Sequence, residues 1–313
     1  MTVVGGVALI SLTVLLIWAS SKIQWALGVG GVPPEPQVRW RQFKELGSAT
    51  GCSIFFIPGV QSRGEEALLP LDRSPDSGAI AALRKWGKVI TATYVREAVF
   101  IPRHVVEEIA YCVQVELCTG RQVVLIGSSF GGMLVMDVVR GLSKEERANV
   151  RVILVSTPYS TADLLAGGAG LGKVLRWTWA DKWLTPLLWF FWLPAGKIPE
   201  ASISKELDVA VVQAEGARRS RGFRVSGLIR QVGYMARWRG VNHGALPARM
   251  AYVQCLQDTV VRQPQAAWAW ERTQGTVCFG LRVPHCSFLE QPRAWASQFT
   301  GILENWKEKD AME

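Results

Sequence analysis

Histidine is scarce in this chain, and its cysteines have none of the spacings that bind metal. The sequence has three histidines and six cysteines among 313 residues. No two cysteines are separated by just two residues, as zinc-binding pairs often are, which argues against a zinc site. We therefore predict no metal and no other cofactor. The cysteines are scattered as Cys52, Cys112, Cys118, Cys255, Cys278 and Cys286. Three of them fall in or beside predicted strands, where a thiol packs as a small apolar group. This usage suits a reducing compartment, although an even count leaves disulfides open.

The chain is basic, with a net charge of +9, but it has no signature of nucleic-acid recognition. It contains no zinc-finger spacing, arginine-rich repeat or RNA-binding motif. Residues Gly167–Lys173 are similar to a phosphate-binding loop, but Val174 follows, where that loop needs Ser or Thr to hold magnesium. We therefore expect no nucleic-acid partner and no nucleotide. A basic chain with an apolar segment instead fits attraction to an anionic membrane surface.

The beginning of the chain lacks charge altogether. Residues 2–21 are uncharged and largely apolar, and about 20 helical residues cross the roughly 30 Å core of a bilayer. A cleaved signal peptide normally begins with positive residues, which are missing here. Lys22, Arg39 and Arg41 come soon after the apolar segment, and positive flanks favour the cytoplasmic side. We predict a retained membrane anchor over residues 1–27 with the rest of the chain in the cytoplasm; export after signal-peptide cleavage and a buried helix are the alternatives.

The most informative stretch of the sequence is a Gly-x-Ser-x-Gly motif centred on Ser129. The apolar residues Val123–Ile126 before it predict a buried strand, and Met133–Val139 after it predict a helix. A serine at such a strand-to-helix turn projects its hydroxyl above the sheet edge. The helix that begins at Phe130 directs its N-terminal amides and the positive end of its dipole towards that hydroxyl.

Strands and helices alternate along much of the chain, which predicts a parallel sheet covered by helices on both faces. The alternation stops after Ser156 and resumes at Met250. We divide the chain into an anchor (1–27), a linker with a first short strand (28–48), a first core part (49–158), a helical cap (159–248) and a second core part (249–313). Apart from the strand before Ser129, strands are predicted over 37–43, 53–57, 88–94, 149–156, 250–256 and 276–279.

The motif, its context and the segments that follow resemble the α/β-hydrolase superfamily of serine hydrolases. Asp258 comes just after a late strand, and His285 lies in a loop that leads into the final helix. The order serine, acid, histidine is that of the family. The resemblance implies an α/β-hydrolase fold with Ser129 as nucleophile, His285 as base and Asp258 as its orienting acid. Asp163, which follows the strand predicted over 149–156, is the alternative acid.

The resemblance also implies two backbone amides that stabilise the oxyanion, those of Phe130 and Val60. Val60 lies in the loop after the strand over 53–57, where the family often has His-Gly. Here Pro58 stands at the histidine position and Gly59 is kept. An ordinary turn at the end of a strand is the alternative interpretation of this loop.

The predicted cap has two contrasting halves. The first is dense in aromatic residues, and we assign Trp183, Trp189 and Trp192 to an apolar substrate pocket. Contact with lipid, or simple packing on the sheet, are the alternatives. The second half is basic, and either it is a solvated helix face or it binds anionic headgroups or an acidic carrier or substrate. Its arginines are Arg218, Arg219, Arg221, Arg224, Arg230, Arg237 and Arg239.

Together these features predict a membrane-associated serine hydrolase. It would cleave a carboxylic ester or thioester of an apolar, lipid-like acyl substrate through an acyl-serine intermediate. A catalytically inactive binding or scaffold protein on the same fold is one alternative, and an acyltransferase with the same triad is another. The sequence does not distinguish esters, thioesters and amides, because one triad serves all of them.

Overall fold

The structure is a computed structural model. It describes residues 36–46, 51–60, 64–95, 100–160, 163, 200–220, 231, 234–235, 238, 240–241, 244–258, 260–261, 263–273 and 275–312.

Strands and helices alternate through most of these residues. The strands are β1 (Val38–Phe43), β2 (Cys52–Ile57), β3 (Gly87–Tyr94), β4 (Gln122–Ser128), β5 (Val150–Val155), β6 (Arg249–Cys255) and β7 (Thr276–Leu281). The helices are α1 (Gly64–Leu68), α2 (Gly78–Arg84), α3 (Pro102–Cys118), α4 (Phe130–Gly141), α5 (Lys144–Ala148), α6 (Val209–Ser220), α7 (Gln263–Glu271) and α8 (Pro292–Met312). A short 3₁₀ helix covers Glu200–Ser202.

The described strands form one seven-stranded sheet in the order β1-β3-β2-β4-β5-β6-β7. β1 pairs antiparallel with β3, and every other neighbouring pair is parallel. The prediction of a mostly parallel sheet is therefore confirmed. Because β4 to β7 run in the same direction, the segments that follow them meet at one edge of the sheet, where parallel α/β sheets bind their ligands.

The central strands are apolar throughout because both faces of the sheet are covered. On one face Phe55 and Leu125 pack with residues of α3, α4 and α7. On the other face Phe56 and Val124 pack with residues of α2 and α8. Alternate residues of one strand therefore enter two different cores, which explains the continuous apolar runs in β2 and β4.

Some predicted boundaries shift and two short helices were missed. The last strand continues to Leu281 rather than Phe279, and the final helix covers Pro292–Met312. The helices α1 and α5, each of five residues, were not predicted, since a single turn has too few residues for a helical periodicity.

Several predictions fall outside the described residues. They include the anchor over residues 2–21, the glycine-rich stretch Gly167–Lys173 and most of the cap. Across the parts of the chain that the structure does describe, no helix combines the length and the apolar character needed to cross a membrane.

The nearly buried carboxylate of Glu116 joins α3 to the N-terminal ends of β2 and β3, whereas Ser129 follows the C-terminal end of β4. Glu116 accepts a hydrogen bond from the Ser53 hydroxyl at 2.6 Å and one from the Lys88 ammonium at 2.7 Å. Burial alone would raise the pKa of Glu116, but these two donors outweigh it, so the pKa lies below its usual value of 4.5. The ionised carboxylate therefore stabilises the fold.

We expect Glu116→Gln to lower the free energy of unfolding at pH 7 by about 2 kcal/mol, because Lys88 would lose its charged partner in a partly buried place. Since the folded state holds the Glu116 pKa below its unfolded value, the contribution is present above about pH 4.5 and is lost as the pH falls through the folded-state pKa. Urea unfolding at several pH values measures the difference between the variant and the wild type.

The matched control is Glu107→Gln. Glu107 pairs with Arg103 at 2.7 Å on the same helix, but both side chains are largely exposed. This change should alter stability by no more than about 0.5 kcal/mol. Equal losses in the two variants would contradict a special role for Glu116.

Candidate active site

Three residues singled out in the sequence follow strands that end at the same edge of the sheet. Ser129 comes directly after β4, Asp258 follows β6 and His285 follows β7. β6 and β7 are neighbours, and β4 is separated from β6 only by β5. The fold therefore gathers the serine, the acid and the histidine at one edge, although they are far apart in sequence.

Ser129 has a backbone conformation that is unusual for a residue with a side chain. Its φ of +51° and ψ of −118° put it at a sharp turn between β4 and α4. Such strain persists only where the surroundings hold the backbone in place. Here the Ser129 N–H donates to the Val155 carbonyl at 2.8 Å, and the Ser129 carbonyl accepts from the Gly132 N–H at 3.0 Å.

The glycines around Ser129 are required because other groups occupy the space of a Cβ atom. A Cβ on Gly131 would overlap the Ile57 and Pro58 carbonyl oxygens. A Cβ on Gly132 would overlap the Thr157 side chain, and one on Gly127 would lie 2.5 Å from the Gly132 Cα. These close approaches bring the N-terminus of α4 against the ends of β2 and β5.

His285 is paired directly with Asp258. The His285 Nδ1 lies 2.6 Å from Asp258 Oδ2, and the Asp258 side chain is fully buried while that of His285 is 19% exposed. The second carboxylate oxygen accepts the Val260 and Val261 amides at 2.7 and 2.9 Å. With Nδ1 engaged in this way, the ring can use Nε2 for a second partner.

Burial alone would raise the pKa of Asp258. The hydrogen bond and the charge of His285, together with the two amides, outweigh burial, so the Asp258 pKa lies below its usual value of 3.8. The carboxylate is therefore ionised at neutral pH and can stabilise a positive charge on the imidazole.

The alternative acid, Asp163, has different partners. Its Oδ2 accepts the Ser160 N–H at 2.7 Å and the Ser160 hydroxyl at 3.3 Å. These bonds close a turn just after β5. The geometry therefore favours Asp258 over Asp163 as the partner of His285.

Cys286 and Phe288 hold the loop that carries His285 against the sheet. Cys286 has a φ of +49°, and its thiol points inward to lie 4.0 Å from the Val155 carbonyl. Burial raises the Cys286 pKa well above its usual value. Phe288 packs edge-on against Phe56, with ring centroids 5.4 Å apart. These contacts hold the loop against the ends of β2 and β5.

The loop expected to supply an oxyanion amide approaches the serine. A Cβ on Gly59 would lie 3.5 Å from the Ser129 Cβ, so Gly59 and its neighbour Val60 come beside the turn. The Pro58 carbonyl accepts the buried Tyr94 hydroxyl at 2.8 Å. Sequence reasoning missed Tyr94; the available signal was a tyrosine at the end of a predicted apolar strand.

The end of the predicted cap is fastened to α4 by Asp137. This carboxylate accepts the Tyr234 hydroxyl and, at 3.4 Å, the Trp238 indole N–H. It also pairs with Arg140 at 2.7 Å, and Arg140 donates to the Gly240 carbonyl at 2.9 Å. The described residues of this segment are thus docked on the helix that follows Ser129, a contact that sequence reasoning also missed.

The residues assigned to a substrate pocket, Trp183, Trp189 and Trp192, lie outside the described residues.

Burial raises the pKa of Cys52 and Cys278 to about 11 and that of Cys255 to about 12, so these thiols are protonated and pack as apolar groups. Within the described part of the chain, no three His, Cys, Asp or Glu side chains are grouped as metal ligands.

Solved structures of several hydrolases have the same fold. An enol-lactonase from Burkholderia xenovorans LB400 superposes with a TM-score of 0.58 at 11% identity, covering 87% of this chain and 100% of its own. An esterase from Exiguobacterium antarcticum gives 0.57 at 15% identity and covers 86% and 94%. A hydrolase from Pseudomonas aeruginosa PA01 gives 0.57 at 12% identity and covers 88% and 99%. Identities this low establish the fold alone.

No curated protein matches this chain significantly. A family model described as the alpha/beta hydrolase family matches residues 40–298, from β1 into α8 and across all three residues of the candidate site. The chain therefore belongs to the α/β-hydrolase family.

Proposed function

We propose that the protein is a membrane-associated serine hydrolase that cleaves a carboxylic ester or thioester of an apolar acyl substrate. The observation that carries the proposal is the pairing of His285 with the buried, ionised Asp258 at 2.6 Å, on the sheet edge where Ser129 occupies its strained turn. Membership of the α/β-hydrolase family supports a hydrolase.

Each residue has a distinct role in the proposed reaction. The Ser129 Oγ attacks the carbonyl carbon while its proton passes to His285 Nε2. Asp258 orients the imidazole and stabilises its positive form. The protonated His285 then gives its proton to the departing alcohol or thiol, which leaves an acyl-serine. Water then attacks the carbonyl carbon of the acyl-serine and gives a proton to His285. His285 passes this proton to the Ser129 Oγ, so the carboxylic acid is released and Ser129 is restored.

The tetrahedral intermediates carry a negative oxygen, for which we propose two amide donors. The first is the Phe130 amide, at the first turn of α4, where amides have no acceptor within the helix. The second is the Val60 amide, next to Gly59 beside Ser129. Each such donor is worth about 3 kcal/mol in the transition state.

The apolar substrate and the membrane association rest on the sequence. The aromatic density around Trp183, Trp189 and Trp192 supports a pocket for an acyl chain within a cap over residues 159–248. The uncharged segment over residues 2–21 supports an anchor that would bring the enzyme to lipid-like substrates. The positive residues after it support a cytoplasmic catalytic domain.

The first prediction from this proposed function concerns the nucleophile. A fluorescent fluorophosphonate should label the wild type and not Ser129→Ala. This variant should hydrolyse p-nitrophenyl esters roughly 10⁴–10⁶-fold more slowly at an unchanged melting temperature, because no other group replaces an activated serine. A series of acyl lengths, as esters and thioesters, then defines the substrate class.

Ser128→Ala is the matched control, since Ser128 is the neighbouring serine and is buried. It should still be labelled. Absence of labelling in the wild type would favour the inactive scaffold protein. Acyl transfer to an added alcohol in preference to water would identify an acyltransferase.

A second prediction separates the two candidate acids. Asp258→Asn should lower kcat by about 10⁴-fold at an unchanged melting temperature, because an amide can hold the imidazole in the wrong tautomer and cannot stabilise its charge. Asp163→Asn should keep most of the activity, since Ser160 supplies its described partners. The opposite pattern in the steady-state kinetics would make Asp163 the acid.

A third prediction concerns the beginning of the chain. The full chain should stay with membranes after alkaline carbonate washing, whereas a chain that lacks residues 1–35 should be released and still hydrolyse esters, because the family match begins at residue 40. Mass spectrometry of the membrane-bound protein should find the apolar segment intact. Its loss from the mature protein would instead identify a signal peptide.

A further inference from the structure

Tyr94 is a buried polar residue that the proposed mechanism does not use. It is the last residue of β3, which pairs with β2, and 5% of it is exposed. Its hydroxyl donates to the Pro58 carbonyl at 2.8 Å, across 36 residues of sequence. Because burial raises the Tyr94 pKa well above its usual value, the hydroxyl keeps its proton and remains a donor.

The Pro58 carbonyl lies between Tyr94 and the helix that follows Ser129. A Cβ on Gly131, in the first turn of α4, would overlap this carbonyl oxygen. Pro58 is followed by Gly59, which approaches Ser129, and then by Val60. The hydrogen bond from Tyr94 therefore acts at the start of the loop that runs alongside the serine.

The ring of Tyr94 contacts the other side of the site. It packs on the Phe130 ring with centroids 6.0 Å apart at an angle of 67°. Phe100 packs on both, at 5.5 Å from Tyr94 and 5.9 Å from Phe130. All three residues are buried. One side chain thus touches both segments that carry the proposed oxyanion amides, the loop Pro58–Val60 through its hydroxyl and Phe130 through its ring.

We propose that Tyr94 is a positioning residue that fixes the loop Pro58–Val60 relative to Phe130 and thereby sets the spacing of the two oxyanion amides. The proposal rests on the proposed function as far as it concerns rate. Tyr94 acts through the backbone of the loop and does not touch the substrate.

Tyr94→Phe tests this proposal, since it removes one hydroxyl and leaves the ring on Phe130. Because losing an oxyanion donor outright costs about 10²–10³-fold in kcat, a displaced donor should lower kcat by about tenfold with KM within about twofold of the wild type. A trifluoromethyl ketone, whose adduct with Ser129 carries an oxyanion, should bind about tenfold more weakly.

Tyr234→Phe is the matched control. Tyr234 also packs on the Phe130 ring, with centroids 5.6 Å apart, but its hydroxyl bonds to Asp137 and not to the loop. It should keep the kcat and the ketone affinity of the wild type. Equal losses in both tyrosine variants would overturn the proposal, because they would report general loosening around Phe130.

A further measurement does not depend on activity. Hydrogen exchange of the Gly59 and Val60 amides, followed by mass spectrometry, should be faster in Tyr94→Phe and unchanged in Tyr234→Phe. Unchanged exchange in Tyr94→Phe would overturn the proposal even if kcat fell. An inactive wild type with the expected difference in exchange would instead contradict the proposed function and leave the positioning of the loop supported.

Discussion

The close packing of α4 against the ends of β2 and β5 is the constraint on which the rest of the site depends. Gly131 leaves room for the Ile57 and Pro58 carbonyls, and Gly132 leaves room for Thr157. No side chain fits between these groups, so the helix approaches the sheet more closely than ordinary side-chain packing allows. This approach forces the sharp turn at Ser129 and brings the first amides of α4 to the edge of the sheet.

Two loops beside this turn also contain a residue with an unusual backbone conformation. Ser129, Ser156 and Cys286 all have positive φ values, and each lies just beyond the C-terminal end of a strand or in the loop that follows it. Such conformations persist where packing and hydrogen bonds overdetermine the backbone. Here the two apolar cores on opposite faces of the sheet, with Phe130 in one and Phe288 in the other, supply that packing. Stability and the geometry of the site therefore have the same source.

Sequence reasoning could predict which residues follow each strand, but not which side chains from distant segments contact one another. Ser129, Asp258 and His285 could be found because each follows a predicted strand or sits in a characteristic loop, in a fixed order along the chain. The contact between Tyr94 and Pro58 depends on β3 being the neighbour of β2 in the sheet. The contact between Asp137 and Tyr234 depends on a segment 97 residues later in the chain packing on α4. Neither neighbour relation leaves a periodic pattern in the sequence.

The helix α4 contacts two further segments beside Ser129, each at a separate point. The loop Pro58–Val60 is fitted against Gly131 and fastened by Tyr94, and the end of the predicted cap is fastened by Asp137 and Arg140. Loops attached in this way can change in length and sequence without moving the serine, because each is tied to α4 at its own point. This arrangement explains, in physical terms, why a fold of this kind can keep one reaction geometry while its substrates vary.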